Sequence, residues 1–349
     1  MTDMKQYGLT DRVAALASMA PQWIPARITL QEKGLYQLVA ACGEKLAEVS
    51  GRFRYEAEVI SDYPAVGDFV MADWNEGGNA VIHQVLHRKS CIVRKAAGNA
   101  RQEQVVAANV DAIFLCMALN NDFNIRRLER YLSIAWDSGA TPVIVLTKAD
   151  LCDDLHDKRR QVEDVAIGVD ILVTTAVAED GYAQVLPYVT QGRTVAFIGS
   201  SGVGKSTLIN RLLGEERLDT NGLRNDDKGR HTTTHRELLL LPGGGMVIDT
   251  PGMRELAMWD AEEGIETAFA EIEELANSCR FFDCSHQCEP GCAVQRALQD
   301  GTITEARWQS YLKLKAEAAY AEDSGSYLQA KEKKFKDIAK FSRSLKKKR

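Results

Sequence analysis

The glycine-rich turn Gly199-Ser200-Ser201-Gly202-Val203-Gly204-Lys205-Ser206 carries the clearest chemistry in this 349-residue chain. It fits the pattern GxxxxGK(S/T) throughout, follows the apolar run Val195-Ala196-Phe197-Ile198, and opens a helix-like stretch from Thr207 to Leu213. Glycines let backbone N–H groups turn inward around phosphate oxygens, and the helix N-terminus adds positive potential. Lys205 is placed to reach β- and γ-phosphates, and Ser206 to ligate Mg²⁺. Asp249-Thr250-Pro251-Gly252 ends a second apolar run, Met246-Val247-Ile248. A carboxylate there holds the same ion, directly or through water, while Gly252 approaches the γ-phosphate. Between the two lies Gly229-Arg230-His231-Thr232-Thr233-Thr234-His235. Thr233 is the favoured threonine to complete the magnesium shell, with Thr232 next. The polar stretch from Asp219 to Lys228 reads as a switch that orders on the nucleotide.

A base-reading segment, Thr147-Lys148-Ala149-Asp150, closes an apolar strand upstream. Asp150 can accept hydrogen bonds from guanine N1–H and the 2-amino group while the Lys148 stem covers the ring. Adenine has no matching donors, so a carboxylate facing it is left unpaired at a cost. Thr147 stands where asparagine is usual, which alters one loop-bracing amide contact. Thr174-Thr175-Ala176 ends the next strand; Thr175 or Ala176 lends a backbone N–H to guanine O6, or the segment is a plain strand end. Met253 follows Gly252 where many nucleotide hydrolases carry a glutamine that positions water. An apolar side chain cannot do that, so slow unaided turnover is expected. His231 is the nearest candidate to orient water, the alternative being a polar loop residue that meets a partner.

These motifs need strand ends to hold them. From Val110 the pattern becomes β-α-β-α. Ala112–Met117 reads as a buried strand, Ile125–Asp137 as an amphipathic helix broken by Arg126, Arg127 and Arg130, and Pro142–Leu146 as a strand. A helix about Asp157–Ala166, strand Asp170–Val173, another helix and strand Thr194–Ile198 follow. That rhythm predicts a parallel, doubly wound sheet with ligands at the carboxyl ends of its strands. Trp23 to about Lys95 instead alternates short apolar runs with Gly and Pro turns, the mark of a small β-barrel. Periodicity does not separate an oligonucleotide-binding barrel from an SH3-like one. Arg52, Arg54, Arg88, Lys89, Arg94 and Lys95 are available to phosphates, or are scattered surface charge.

Four of eight cysteines crowd into fourteen residues as Cys279-x4-Cys284-x-His286-x5-Cys292, with Cys288 a fifth possible ligand. Three thiols and an imidazole make the usual structural zinc set. Cys288 is left out because Cys284, His286 and Cys288 at alternate positions crowd one short turn. Helix-rich sequence follows from Ala293 to Tyr320. From Lys331 onward eight lysines and two arginines face Glu332 and Asp337, a net +8, so the other 330 residues sum to −14 for a total of −6. A basic tail on an acidic body suits a polyanion, and Phe335 and Phe341 interleave with its lysines as RNA contacts require. The start of the chain has no apolar signal core, and no apolar run approaches the ~18 residues of a membrane span. A reducing cytoplasm and no membrane partner are expected.

The order guanine reader, base loop, phosphate loop, switch threonine, metal aspartate resembles the circularly permuted GTPases. An ordinary GTPase has its guanine reader after the phosphate loop. With the barrel, the run Gly229–Thr234, the hydrophobic Met253 and the Cys/His spacing, residues 20–345 resemble the RsgA (YjeQ/YloQ) family. The resemblance implies a multidomain chain: an extension over 1–20, an oligonucleotide-binding (OB-fold) barrel over 21–97, an α/β circularly permuted P-loop GTPase domain over 98–268, a mainly helical zinc-binding domain over 269–325, and a basic tail over 326–349. It implies a GTP hydrolase acting in late maturation of the bacterial 30S subunit, with 30S particles and 16S rRNA as partners; a monomer is expected. It also implies turnover stimulated by 30S binding and makes His231 the candidate catalytic residue, while the permuted order lets switch changes at Asp249–Met253 pass directly to the zinc domain. A competing reading is a nucleotide-gated rRNA-binding module in which hydrolysis is incidental.

Overall fold

The computed structural model describes residues 1–218, 236–249, 262–316 and 318, apart from 33, 76, 97, 98 and 288. His231, Thr232, Thr233, Gly252, Met253, Cys288 and the basic tail lie outside the described residues.

A short helix, α1 (Asp11–Ser18), begins where the Thr10 hydroxyl accepts the Val13 N–H. Strands β1 (Ile24–Glu32), β2 (Leu35–Ala40) and β3 (Gly43–Val49) follow, then α2 (Gly51–Glu56), β4 (Phe69–Asp73) and β5 (Ala80–Val85). Their order is β1-β2-β3-β5-β4, and β4 pairs back onto β1, so the sheet closes. Only β3 and β5 run parallel within it. A closed five-stranded Greek-key barrel is the OB connectivity, which decides what periodicity left open. Helix α1 covers part of it: Leu9, Val13, Leu16 and Ala17 pack with Phe69, Met71 and Leu86. Sequence reading missed this helix although Leu9, Val13, Leu16 and Ala17 recur at helical spacing behind the Thr10 cap, because the segment is only two turns long.

A hairpin, β6 (Cys91–Ala96) and β7 (Asn99–Ala108), leads into the second layer system. There follow β8 (Ala112–Ala118), α3 (Ile125–Asp137), β9 (Thr141–Thr147), α4 (Leu155–Glu163), β10 (Asp170–Val173), β11 (Thr194–Ile198), α5 (Lys205–Leu213), β12 (Arg236–Leu240) and β13 (Met246–Asp249). The strands lie in the order β10-β9-β8-β11-β13-β12, parallel except for β12. All seven residues of β8 and all five of β11 are buried, as strands covered on both faces must be. One expected helix is absent. Between β10 and β11 the chain forms a 3₁₀ stretch, Ala183–Tyr188, whose Pro187 has no N–H to continue an α-helix.

Barrel and parallel sheet share one hydrogen-bonded surface. Strand β1 pairs antiparallel with β12, Leu30 opposite Glu237 and Gln31 opposite Arg236. Beneath this seam Arg27 is fully buried and donates to the carbonyls of Tyr7 (2.6 Å) and Gly67 (3.2 Å) and to Oγ1 of Thr194 (2.9 Å). Burial lowers its pKa to about 10, against the pull of Asp111 and Asp68, so it remains a cation at neutral pH.

By compactness the chain forms two units, residues 1–94 with 103–256, and 95–102 with 257–349. The second contains α6 (Glu262–Ala268), α7 (Ala270–Asn277), α8 (Ala293–Asp300) and α9 over 305–316. Ile265, Phe269, Ile272, Val294, Trp308 and Leu314 are buried in it. Arg307 lies 4.1 Å over the Phe269 ring, pairs with Glu271 at 2.7 Å and caps the α6 carbonyl of Ala268.

Candidate functional site

The phosphate loop joins the end of β11 to the start of α5, so its amides lead into a helix N-terminus. Two glycines are required by geometry. A Cβ on Gly199 would lie 2.7 Å from the Cys116 carbonyl oxygen of neighbouring β8, and Gly204 caps α5 at φ +108°. Lys205 reaches back over the loop, its Nζ donating to the carbonyls of Gly199 and Ser200 at 2.7 Å each. Charged phosphate oxygens are stronger acceptors than these carbonyls. Ser206 and Thr207 follow on the first turn of α5.

Asp249 is the last residue of β13, which runs parallel to β11 with Ile248 opposite Ala196. The Ser206 hydroxyl on α5 and the Asp249 carboxylate at the end of β13 are both oxygen donors, the type Mg²⁺ prefers. Thr233 and Gly252, the other expected groups on this side, lie outside the described residues.

Thr147 is not merely a substitute for asparagine. Its buried hydroxyl donates to the Val203 carbonyl at 2.6 Å, tying the end of β9 to the phosphate loop 56 residues away. Thr147→Val is expected to strand that carbonyl and weaken GDP binding about tenfold, or 1–2 kcal/mol, in a fluorescent-nucleotide titration. Unchanged affinity would show that the brace does not shape the site. Lys148 adopts a left-handed conformation (φ +58°), which turns the chain sharply into Asp150.

The base loop from β10 contributes a side chain that sequence reasoning did not assign. Oγ1 of Thr175 donates to Oδ1 of Asp150 at 2.5 Å, fixing the carboxylate plane. The Thr175 N–H is committed to the Gly181 carbonyl at 3.0 Å, so of the two expected donors to guanine O6 Thr175 is already engaged. The Ala176 carbonyl accepts from Arg211 of α5 at 3.0 Å, holding the base loop near the phosphate helix.

Asp122 was also missed. It follows β8, accepts the Ser200 hydroxyl at 2.5 Å and is held by Arg127 through both oxygens at 2.9–3.0 Å. Burial raises its pKa, but the Ser200 and Arg127 hydrogen bonds outweigh this and hold it below the usual carboxylate range. No local pattern marks such a residue, since its partner loop lies 78 residues downstream.

In the second unit Cys279, Cys284, His286 and Cys292 bring their ligand atoms within 4.8 Å of one another. The sulfurs of Cys279 and Cys292 are 3.8 Å apart, and each is 3.5 Å from Nδ1 of His286. Tetrahedral zinc at ordinary bond lengths has S–S and S–N edges of about 3.8 and 3.6 Å, so the residues fit that ion. Backbone N–H groups of Ala293 and Gln295 point at the Cys279 and Cys292 sulfurs at 3.4 Å. Although burial opposes it, such donation from Ala293 and Val294 lowers the Cys279 pKa. His286 stands at φ +60° with its ring edge-on to Trp308, and its carbonyl accepts from Gln295. These contacts orient the imidazole.

No described helix is long and apolar enough to cross a membrane. Residues 85–259 match the family described as RsgA GTPase. The small ribosomal subunit biogenesis GTPase RsgA 2 of Lactiplantibacillus plantarum is 51% identical over 316 residues, 90% of this chain and 89% of that protein. RsgA of Opitutus terrae is 48% identical over 86% of this chain and 84% of its own. Among solved structures, YjeQ from Thermotoga maritima superposes with TM-score 0.63 at 28% identity, covering 83% of this chain and 96% of its own. YloQ, described as a circularly permuted GTPase, gives 0.59 at 25% identity, covering 86% and 96%. A permuted guanine-nucleotide site, an OB barrel and a Cys/His cluster, carried by a sequence this close to those relatives, place the chain in the RsgA family of small ribosomal subunit biogenesis GTPases.

Proposed function

We propose that this GTPase acts in the cytoplasm as a monomer on the maturing 30S subunit, that 16S rRNA contact accelerates its turnover, and that hydrolysis resets its grip on the particle. Support comes from the Thr147–Val203 hydrogen bond, which joins base reader and phosphate loop across the permutation. Asp150 and Lys148 take the guanine, with Thr175 orienting the carboxylate and Ala176 meeting O6. Gly199 to Gly204 wrap the phosphates, and Lys205 moves from its loop carbonyls to β- and γ-oxygens. Ser206, Asp249 and Thr233 are the proposed ligands of a Mg²⁺ that would supply charge neutralisation at the β- and γ-phosphates. Gly252 donates its N–H to the γ-phosphate. Met253 cannot orient water, so His231 is proposed for that role once the subunit has ordered the switch.

Cys279, Cys284, His286 and Cys292 hold a structural zinc in this reading. The sequence runs directly from Asp249–Met253 into the second unit, which gives loss of the γ-phosphate a covalent route to the zinc domain. The five-part division, with its barrel over 21–97, GTPase domain over 98–268, zinc domain over 269–325 and tail over 326–349, belongs to the same proposal. Multiple-turnover GTPase assays with purified subunits test it. Acceleration by 30S and not by 50S particles, lost in His231→Ala, is expected. Equal rates with and without 30S would favour an RNA-binding module with incidental hydrolysis.

A further inference from the structure

Most cations that the barrel region offers to phosphate already have partners. Arg52 pairs with Glu56 at 2.7 Å, Arg54 with Glu48 at 3.5 Å, Arg88 with Asp68 at 2.8 Å and Lys89 with Asp111 at 2.6 Å. Arg94 differs. Its Nε and Nη2 both point at Oε1 of Gln104, at 3.3 and 3.2 Å. Nη2 of Arg236 points at the same oxygen from 3.3 Å, and its Nη1 reaches only the Val105 carbonyl at 3.4 Å. Three N–H groups thus share one amide oxygen with two lone pairs. Among the described residues neither arginine forms an ion pair with a carboxylate. Burial and then repulsion from Arg94 push the Arg236 pKa down to about 10. Two half-buried like charges on a neutral acceptor are unfavourable until an anion joins them.

Gln31 adds an independent sign. It stands directly opposite Arg236 on the β1–β12 ladder, so both side chains leave the ribbon on one face. Its amide meets the Tyr36 hydroxyl of the neighbouring strand β2, while its Oε1 is buried and accepts no hydrogen bond among the described residues. An anion answers the arginines, and a hydroxyl donor beside it answers this oxygen. A phosphodiester flanked by a ribose 2′-hydroxyl supplies both.

We propose that Arg94 and Arg236, with Gln104 and Gln31 beside them, form a seat for one ribose-phosphate unit of RNA. The proposal rests on the small-subunit reading above and names a contact for it. Its position gives it a consequence. Arg236 opens β12 two residues after the last of the three threonines in sequence, and Glu237 pairs with Asp249 on one side and with Leu30 of the barrel on the other. An RNA backbone seated here fixes the start of β12, and with it the strand that ends in the magnesium carboxylate.

The test uses the full chain saturated with GDP and Mg²⁺, so that the phosphate loop is already filled. Thermal unfolding is compared in sodium phosphate and sodium chloride at matched ionic strength for wild type, Arg94→Gln, Arg236→Lys and the double Arg94→Gln/Arg236→Gln variant. Phosphate is expected to raise the wild-type midpoint and leave the double variant unmoved. In chloride the Arg94→Gln protein is expected to melt at or above wild type, because the repulsion is gone. Affinity for 30S particles should fall about tenfold in the double variant, with the slope of log K against log salt smaller by about one. Arg236→Lys keeps the charge without the fork and should fall between. Gln31→Leu should shrink any preference for an RNA oligonucleotide over its DNA counterpart. No phosphate shift in wild type, or Arg94→Gln melting well below wild type in chloride, overturns the seat. A phosphate shift with undiminished 30S affinity in the double variant overturns RNA as its occupant. Wild type that binds neither subunit contradicts the functional reading, while the phosphate shift still decides the anion site.

Discussion

Asp150→Asn is expected to lower GTP affinity by about 10²–10³-fold and to create affinity for xanthosine triphosphate. In the proposed site Asp150 would offer guanine two carboxylate acceptors, and the Thr175 hydroxyl holds one of those oxygens. An amide retains one acceptor and presents an N–H to the guanine 2-amino group, so two donors face each other. Losing charge-assisted bonds and leaving donors unpaired costs about 3–4 kcal/mol. Xanthine carries a carbonyl at that position and accepts from the same N–H. Competition against labelled GDP with both triphosphates checks the result. Parallel loss of both nucleotides would mean that Asp150 supports the loop and does not read the base.

Removing metal from the proposed zinc site is expected to have the larger effect on folding. Structural zinc in small Cys/His sites contributes on the order of 10–16 kcal/mol at neutral pH, far beyond what a few short helices gain from their own core. Cys292 is central because it is a proposed ligand and also caps α8, its sulfur accepting the Gln295 N–H. Cys292→Ser, or strong chelation of wild type, is expected to release a stoichiometric zinc ion and abolish the unfolding transition of α6–α9. GDP binding by the first unit should survive. Circular dichroism melts with metal analysis measure both. A wild-type chain that keeps its metal-free transition would remove zinc from the folding of this unit.

The candidate site was legible where its residues are contiguous or closely spaced. Gly199 to Ser206 form one turn between β11 and α5, and Cys279, Cys284, His286 and Cys292, close in sequence, bring their ligand atoms within 4.8 Å of one another. The parallel strands were legible too, since burial on both faces writes continuous apolar runs such as Ala112–Met117. What depends on distant partners left no mark. Nothing in Ile24–Glu32 announces that Leu30 will pair with Glu237, because an exposed edge and a paired one carry the same alternation. Arg27 reads as a surface cation until the carbonyls of Tyr7 and Gly67 close around it. Thr147 reads as a deviation from asparagine, yet its shorter side chain reaches the Val203 carbonyl directly. The expected helix before β11 failed for a local reason that was visible, Pro187 in mid-segment.

All of this depends on two chain segments in reversed order enclosing one nucleotide. A crystal structure of the full chain with Mg²⁺ and a non-hydrolysable GTP analogue tests that directly. The purine should lie between the Lys148 stem and the base loop with N1 and the 2-amino group on Asp150, and the triphosphate within the Gly199–Ser206 loop. A purine bound away from Asp150, with the phosphates still in the loop, would contradict the shared site.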